Sequence, residues 1–132
     1  MPAEPLCPCG SAREYTACCG PFHAHAAVPA TAEALMRSRY TAFVLNDAAY
    51  LLETWHATTR PAALDPDPAA RWLGLKILAS AGGGSNDLTG TVEFVARFRI
   101  GGRAVRLHEV SRFLKHDGRW FYVDGASPRV AK

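Results

Sequence analysis

The sequence predicts an α+β fold in which three N-terminal helices pack on a curved antiparallel sheet, with a small cysteine-bearing unit ahead of them. Three observations predict it. All four cysteines of the 132-residue chain lie between positions 7 and 19. From Thr31 apolar residues recur at helical spacing, with Met36, Tyr40, Phe43 and Val44 on one side until Asn46 interrupts. From Thr89 they alternate with period two instead, so that Val92, Phe94, Ala96, Phe98 and Ile100 share one face. At this length, a hydrophobic content of 48% suffices for one domain with a real core plus a small appendage.

The cysteines come first, as Cys7-Pro-Cys9 and the adjacent pair Cys18-Cys19. Two close thiol pairs separated by a short loop can close around one ion, and zinc takes four such soft ligands in a tetrahedron. Disulfides are the rival reading. A bridge within either pair would close a strained ring, which leaves only crossed pairings of Cys7 and Cys9 with Cys18 and Cys19. The first five residues lack the charged start and apolar run of a signal peptide, and clustered cysteines without secretory features are usually metal ligands. Gly10 can take the positive φ that turns backbone N–H groups toward the sulfurs, Tyr15 is placed to cover the site, and Gly20-Pro21 ends the segment. So small a unit has almost no core of its own, so its folding is expected to depend on the metal, and chelation to unfold it alone.

Residues 22–30 are rich in Ala, His and Pro without a period and read as a linker, with His23 and His25 as solvent-exposed loop residues and His23 as a substitute metal ligand only where one cysteine is out of reach. Thr31 is an N-cap for the first long helix; Asp47 caps a second through Trp55, with Leu51 on its inner side; Asp67-Pro68 marks a third, anchored by Trp72. Residues 75–81 and 89–100 are strands joined by the flexible loop Gly82-Gly83-Gly84-Ser85-Asn86-Asp87, which is not a phosphate loop because a strand follows it and no Lys-Ser or Lys-Thr is present. A Gly101-Gly102 turn leads into a strand from Arg103, and Asp117-Gly118 makes a second hairpin.

Charge excludes little. Four bound thiolates and one divalent ion would lower the formal net charge of +3 by two. The arginines are scattered; Arg97, Arg99, Arg103 and Arg106 read as a solvated hairpin face, not as a nucleic-acid patch. No apolar stretch approaches the roughly 20 residues of a membrane span, so a soluble, cytoplasmic protein is expected.

The segments Cys7-Pro-Cys9-Gly-Ser11 and Tyr15-Thr-Ala-Cys18-Cys19-Gly-Pro21 resemble the SEC-C motif, the zinc knuckle known from the tail of the SecA preprotein translocase, where it contacts a chaperone partner and the ribosome. The resemblance continues through Leu35-Met-Arg-Ser-Arg-Tyr40, Tyr50-Leu51, Thr54-Trp55-His56, Thr59-Arg60-Pro61, Trp72-Leu-Gly-Leu75, Leu107-His-Glu-Val-Ser-Arg-Phe113, Asp117-Gly118-Arg-Trp120 and Asp124-Gly125. Together these look like the YchJ-like family of small bacterial proteins, which joins such a knuckle to a domain resembling nuclear transport factor 2, a cone enclosing a pocket. No activity is established for that family. Some members carry a second SEC-C motif near the C-terminus, whereas no cysteine follows Cys19 here. The implied division is a knuckle over 1–21, a linker over 22–30 and an α+β cone over 31–132.

On the strand from Arg103, Val105, Leu107 and Phe113 facing the helices would bring Glu109 and Ser111 with them. A carboxylate in an apolar layer is either held by Arg37 or Arg39, or by hydrogen bonds from Trp55, Tyr122 or Arg60, or is a pocket acid with a raised pKa. His108 falls on the opposite face. His56, near a helix end, has an adequate structural reason in the helix dipole. Pocket candidates are Trp55, His56, Arg60, Glu109, Phe113, Trp120 and Tyr122; no nucleophile–base arrangement, nucleotide fingerprint or catalytic metal motif is legible. Three function classes follow, in order: an adaptor whose knuckle docks a protein or ribosomal partner, a protein holding a small apolar ligand in the cone, and an enzyme using that pocket. Either a monomer or a homodimer is compatible with them.

Overall fold

In the computed structural model, which describes residues 5–64 and 69–126, the cysteine loop is closed by a bridge between Leu6 and Glu14 and a 3₁₀ turn at Tyr15–Ala17. The one-turn helix α1 (Gly20–His23) follows. Helix α2 (Ala32–Val44) starts where the Thr31 hydroxyl accepts the Ala34 N–H at 3.0 Å, and α3 (Ala48–Glu53) where the Asp47 carboxylate accepts the Tyr50 N–H at 3.1 Å. Both caps are those expected, each satisfying a donor that a first turn leaves unpaired. Helix α3 stops at Glu53, and the next residues join the sheet: Tyr122 N–H donates to Thr54 O at 2.9 Å and His56 N–H to Tyr122 O at 2.7 Å.

Strands β1 (Arg71–Gly82), β2 (Thr89–Ile100), β3 (Arg103–His116) and β4 (Arg119–Ala126) form one antiparallel sheet in sequence order. The tight turns obey their residues. Gly101 and Gly102 sit at φ 57° and 78°, Asp117 and Gly118 at 50° and 78°, the left-handed pairs whose twist matches that of the strands they join. In the longer loop Gly83 is essential: its carbonyl accepts the Ala32 N–H at 2.9 Å, and a Cβ there would stand 2.8 Å from that of Ala32. This contact ties the sheet to the start of α2.

Pairing of Phe98 with Val105, Ala96 with Leu107, Phe94 with Glu109 and Val92 with Ser111 places the expected residues on the helix side. There α2 lays Leu35, Met36 and Tyr40 on Val92, Phe94, Ala96, Phe113 and Trp120. Extra residues at Leu73 and Leu78 in β1 and at Val123 in β4, the last opposite Arg112 and Phe113, bend the sheet around the helix. On the outer face Arg97 lies opposite Arg106, and both are exposed with Arg99; His108 meets Glu93 at 2.7 Å there. Arg103, opposite Ile100, has the other parity and does not share that face, since side chains alternate along β3.

Three further expectations need correction. Trp72 anchors no helix: it belongs to β1, paired with Phe98, with ring centroids 4.8 Å from Phe98 and 5.5 Å from Tyr40. Rings distant in sequence hold it in the strand, and the helix start expected at Asp67 and Pro68 lies outside the described residues. His23 is not a free loop residue, because it bridges Tyr15 Oη and Ser38 O at 2.8 Å each and abuts the Tyr50 ring. His25 is exposed as expected and meets Glu53 at 2.7 Å. The cysteine loop, expected to stand alone, shares the main core: Cys7, Cys9 and Cys19 pack in one cluster with Leu35, Met36 and Tyr40. A loop with too few apolar residues for a core of its own borrows one.

Candidate functional site

The four cysteine sulfurs all lie within 4.8 Å of one another, with Cys9 and Cys18 at 3.6 Å and Cys18 and Cys19 at 4.0 Å. A tetrahedral ion with metal–sulfur bonds of about 2.3 Å sets its sulfurs roughly 3.8 Å apart. All four are free cysteines, so the crossed disulfides are not formed. Gly10 turns the loop at φ 84°, where a Cβ would come within 3.1 Å of Leu75 O. Ser11 Oγ lies 3.1 Å from Cys18 Sγ. The remaining support comes from α2: Thr41 donates its hydroxyl to Cys19 Sγ at 3.4 Å and stands 3.6 Å from Cys7 Sγ, while Arg37 donates to Cys9 O at 2.7 Å and to Glu33 at 3.1 Å. Such outer partners orient ligands and tune their basicity.

The thiols ionise unequally. Hydrogen bonding from Cys19 holds Cys9 down to about 4, against the opposing effect of burial and with further help from Ser11 and Cys18. Burial pushes Cys18 up, and the hydrogen bond to Cys9 pushes Cys19 up more strongly. A bound cation is what lets the whole set ionise together. The donor chemistry and the spacing therefore both fit a metal ion.

On the other side of α2 lies a cavity of about 340 Å³. Its roof is Met36, Arg39, Tyr40 and Phe43; its floor is Phe94, Ala96 and Phe98 of β2 with Val105, Leu107, Glu109 and Ser111 of β3. Trp72, Trp55 and Tyr122 complete the wall. Polar groups converge at one end. A Cβ placed on Gly125 would lie 2.8 Å from Glu109 Oε2, 3.2 Å from Ser111 Oγ and 3.4 Å from Tyr122 Oη, so a larger residue there would displace the carboxylate and crowd the serine hydroxyl. Burial raises the Glu109 pKa above the ordinary carboxylate value.

Of the pocket candidates, Trp55, Glu109 and Tyr122 line this cavity. The others do not. Phe113 and Trp120 are core residues, the Trp120 indole donating to Ala30 O at 3.1 Å. His56 binds Thr58 at 2.8 Å and meets Phe121 edge-on, and Arg60 donates back to Trp55 O at 2.9 Å. The proposed ion pairs of Glu109 are absent among the described residues, since Arg37 is committed to Glu33 and Arg39 to Leu51 O and Thr54 Oγ1. Sequence reasoning missed Arg39 as a wall residue. The signal was present: it stands three after Met36 and four before Phe43, on the apolar side of the same helix.

The comparisons with known proteins agree with this architecture. A family model described as the middle, NTF2-like domain of YchJ matches residues 31–125, and the SEC-C motif matches residues 6–21. A UPF0225 protein of Streptomyces coelicolor is 57% identical over 95% of this chain and 97% of its own length, and one of Bordetella pertussis is 56% identical over 94% and 95%. The solution structure of a SEC-C motif containing protein from Rhodopseudomonas palustris superposes with a TM-score of 0.83 at 41% identity, covering 93% of this chain and 98% of that one. A crystal structure of a SEC-C motif containing protein from Psychrobacter arcticus gives 0.75 at 26%, covering 96% and 84%. With a cysteine cluster fit for a metal at its start and an NTF2-like α+β cone behind it, the chain belongs to the YchJ-like, UPF0225 family.

Proposed function

We propose that the protein binds a small, mainly apolar ligand in the cavity beneath α2, and that a zinc ion in the four-cysteine site braces that helix from behind. The observation that carries this reading is an apolar cavity of about 340 Å³ with Arg39, Glu109, Ser111 and Tyr122 as its few polar groups, the composition expected of a small-molecule site. Zinc is the metal that a closed set of four thiolates suits best. Helix α2 links the two, presenting Arg37 and Thr41 to the knuckle while Met36, Arg39, Tyr40 and Phe43 roof the cavity. Binding is favoured over catalysis because His56 points to Thr58 and Phe121, away from the cavity.

Titration with a neutral aromatic probe such as 2-naphthol, read by amide chemical shifts, tests the cavity. Perturbations should gather on α2, β2 and β3, and Ala96→Leu, which fills the space, should abolish them while leaving the fold intact. Equal binding by that variant would move the site elsewhere. Elemental analysis with thiol titration tests the metal: one zinc per chain is expected, and four freely reactive thiols without metal would end that part of the proposal.

Docking of a protein or ribosomal partner on the knuckle is the second reading. It is favoured by the SEC-C match and by Leu6, 61% exposed at the edge of the cysteine loop. Co-sedimentation with purified ribosomes that is lost in Leu6→Glu, with the metal retained, would support it.

A further inference from the structure

Arg39 is 4% exposed, the most deeply buried charge of the cavity wall. A buried cation normally requires a counter-charge, because desolvation costs several kcal/mol per ion, roughly, unless paired. Among the described residues Arg39 has none: every ion pair found involves other side chains. What it has are neutral partners. Its Nη1 donates to Leu51 O at 2.7 Å and to Thr54 Oγ1 at 2.6 Å, and its guanidinium lies over the rings of Tyr122 at 4.4 Å and Trp55 at 5.2 Å. These contacts fix the plane of the group through one nitrogen. They leave Nε and Nη2 without a hydrogen-bond partner among the described residues, and that pair is the edge of an arginine that grips a carboxylate with two parallel bonds.

Resting on the cavity as the ligand site, we propose that its ligand is a small apolar carboxylate, held by the free edge of Arg39 with its hydrocarbon or aromatic body against Trp72, Phe98 and Leu107. The volume of about 340 Å³ lies near the lower end of small-molecule sites, which limits that body to one compact ring system or a short chain. The competing chemistry is a cation attracted by Glu109. Burial decides between them. Glu109 is only half-buried and keeps water as a partner, whereas Arg39, 4% exposed, keeps only a narrow contact with it through its unpaired nitrogens and gains more from a counter-ion. Burial does lower the Arg39 pKa to about 10, which still leaves the group charged at neutral pH.

Calorimetric titration of the full, metal-loaded chain with three probes of one shape tests the assignment: 2-naphthoate, 2-naphthamide and 2-naphthylmethylammonium. The carboxylate should bind at least about tenfold more tightly than the amide, the effect of one charge-assisted pair, and the ammonium weakest. Arg39→Met should remove the preference for the acid over the amide, and Arg39→Lys should restore part of it. Because Arg39 also joins α2 to the end of α3, its variants need a fold check; the comparison of isosteres on the unaltered protein decides by itself if they fail. Equal affinity for acid and amide, or tighter binding of the ammonium, would overturn the carboxylate assignment and leave the cavity reading standing. Failure of all three probes to bind would sink both.

Discussion

Thr41 and Glu109 show how one side chain acquires a role from what surrounds it. Thr41 is fully buried, yet its hydroxyl touches two of the four sulfurs, so it orients thiolates from a helix more than twenty residues further along the chain. Thr41→Val keeps the shape and removes the donor. We expect metal affinity to fall about tenfold or more and stability by about 1 kcal/mol, measured by competition with a chromophoric chelator and by denaturant unfolding. Unchanged affinity would mean that the sulfurs need no help from α2. Glu109 makes a prediction in pH. Its carboxyl is held above the ordinary range by burial, so between the unfolded and folded values the native state binds the proton that the unfolded state has lost. Stability contributed at this position is therefore complete below the ordinary glutamate pKa and falls as pH rises through that window. Glu109→Gln should match the wild type near pH 4 and exceed it near pH 7, by less than about 1 kcal/mol because half the group reaches water. A stability difference that does not change with pH would show the carboxyl to titrate as in the unfolded chain.

At the scale of elements, the turns and caps divide into those set by backbone alone and those set by a neighbour. Gly101 has positive φ but nothing within 4 Å of a built Cβ, whereas Gly83 has both positive φ and the Cβ of Ala32 at 2.8 Å. Gly101→Ala should cost about 1 kcal/mol, the strain of a left-handed residue. Gly83→Ala should cost more, by about 1–3 kcal/mol of overpacking, because the clash pushes the sheet loop off the start of α2. Equal thermal shifts for the two would show that the loop gives way without cost. The reason β1 begins at Arg71 belongs to this scale too: Trp72 packs against Phe98 and the α2 rings Tyr40 and Phe43, partners that lie far off in sequence.

For the whole molecule, the shared core of the knuckle and α2 changes what metal removal should do. The sequence alone leads one to expect unfolding confined to residues 1–21. With Cys7, Cys9 and Cys19 packed among Leu35, Met36 and Tyr40, chelation should also loosen α2, while the paired centres of β2 and β3 stay protected. Amide exchange with and without chelator measures this. Protection of α2 that survives chelation would show that the sheet alone holds the helix. If α2 does loosen, ligand affinity in the cavity beneath it should fall with the metal, since four of its residues form the roof.

The features legible in the sequence are those governed by near neighbours along the chain. Cysteine spacing is enough to collect four sulfurs, Thr31 and Asp47 announce their helices, Gly101-Gly102 and Asp117-Gly118 announce their turns, and strict alternation in β3 puts Glu109 on the inner side. These rest on covalent geometry and on hydrogen bonds reaching a few residues, which any chain with those residues obeys. Only tertiary structure decided that Trp72 joins a strand, that His23 binds Ser38 O, that the knuckle shares the main core, and that Arg39 is buried with no carboxylate partner among the described residues while Glu109 stands apart from it. Each of these depends on which surfaces meet when α2 settles between the cysteine loop and the sheet, and the free energy of such contacts comes from burial shared between segments distant in sequence.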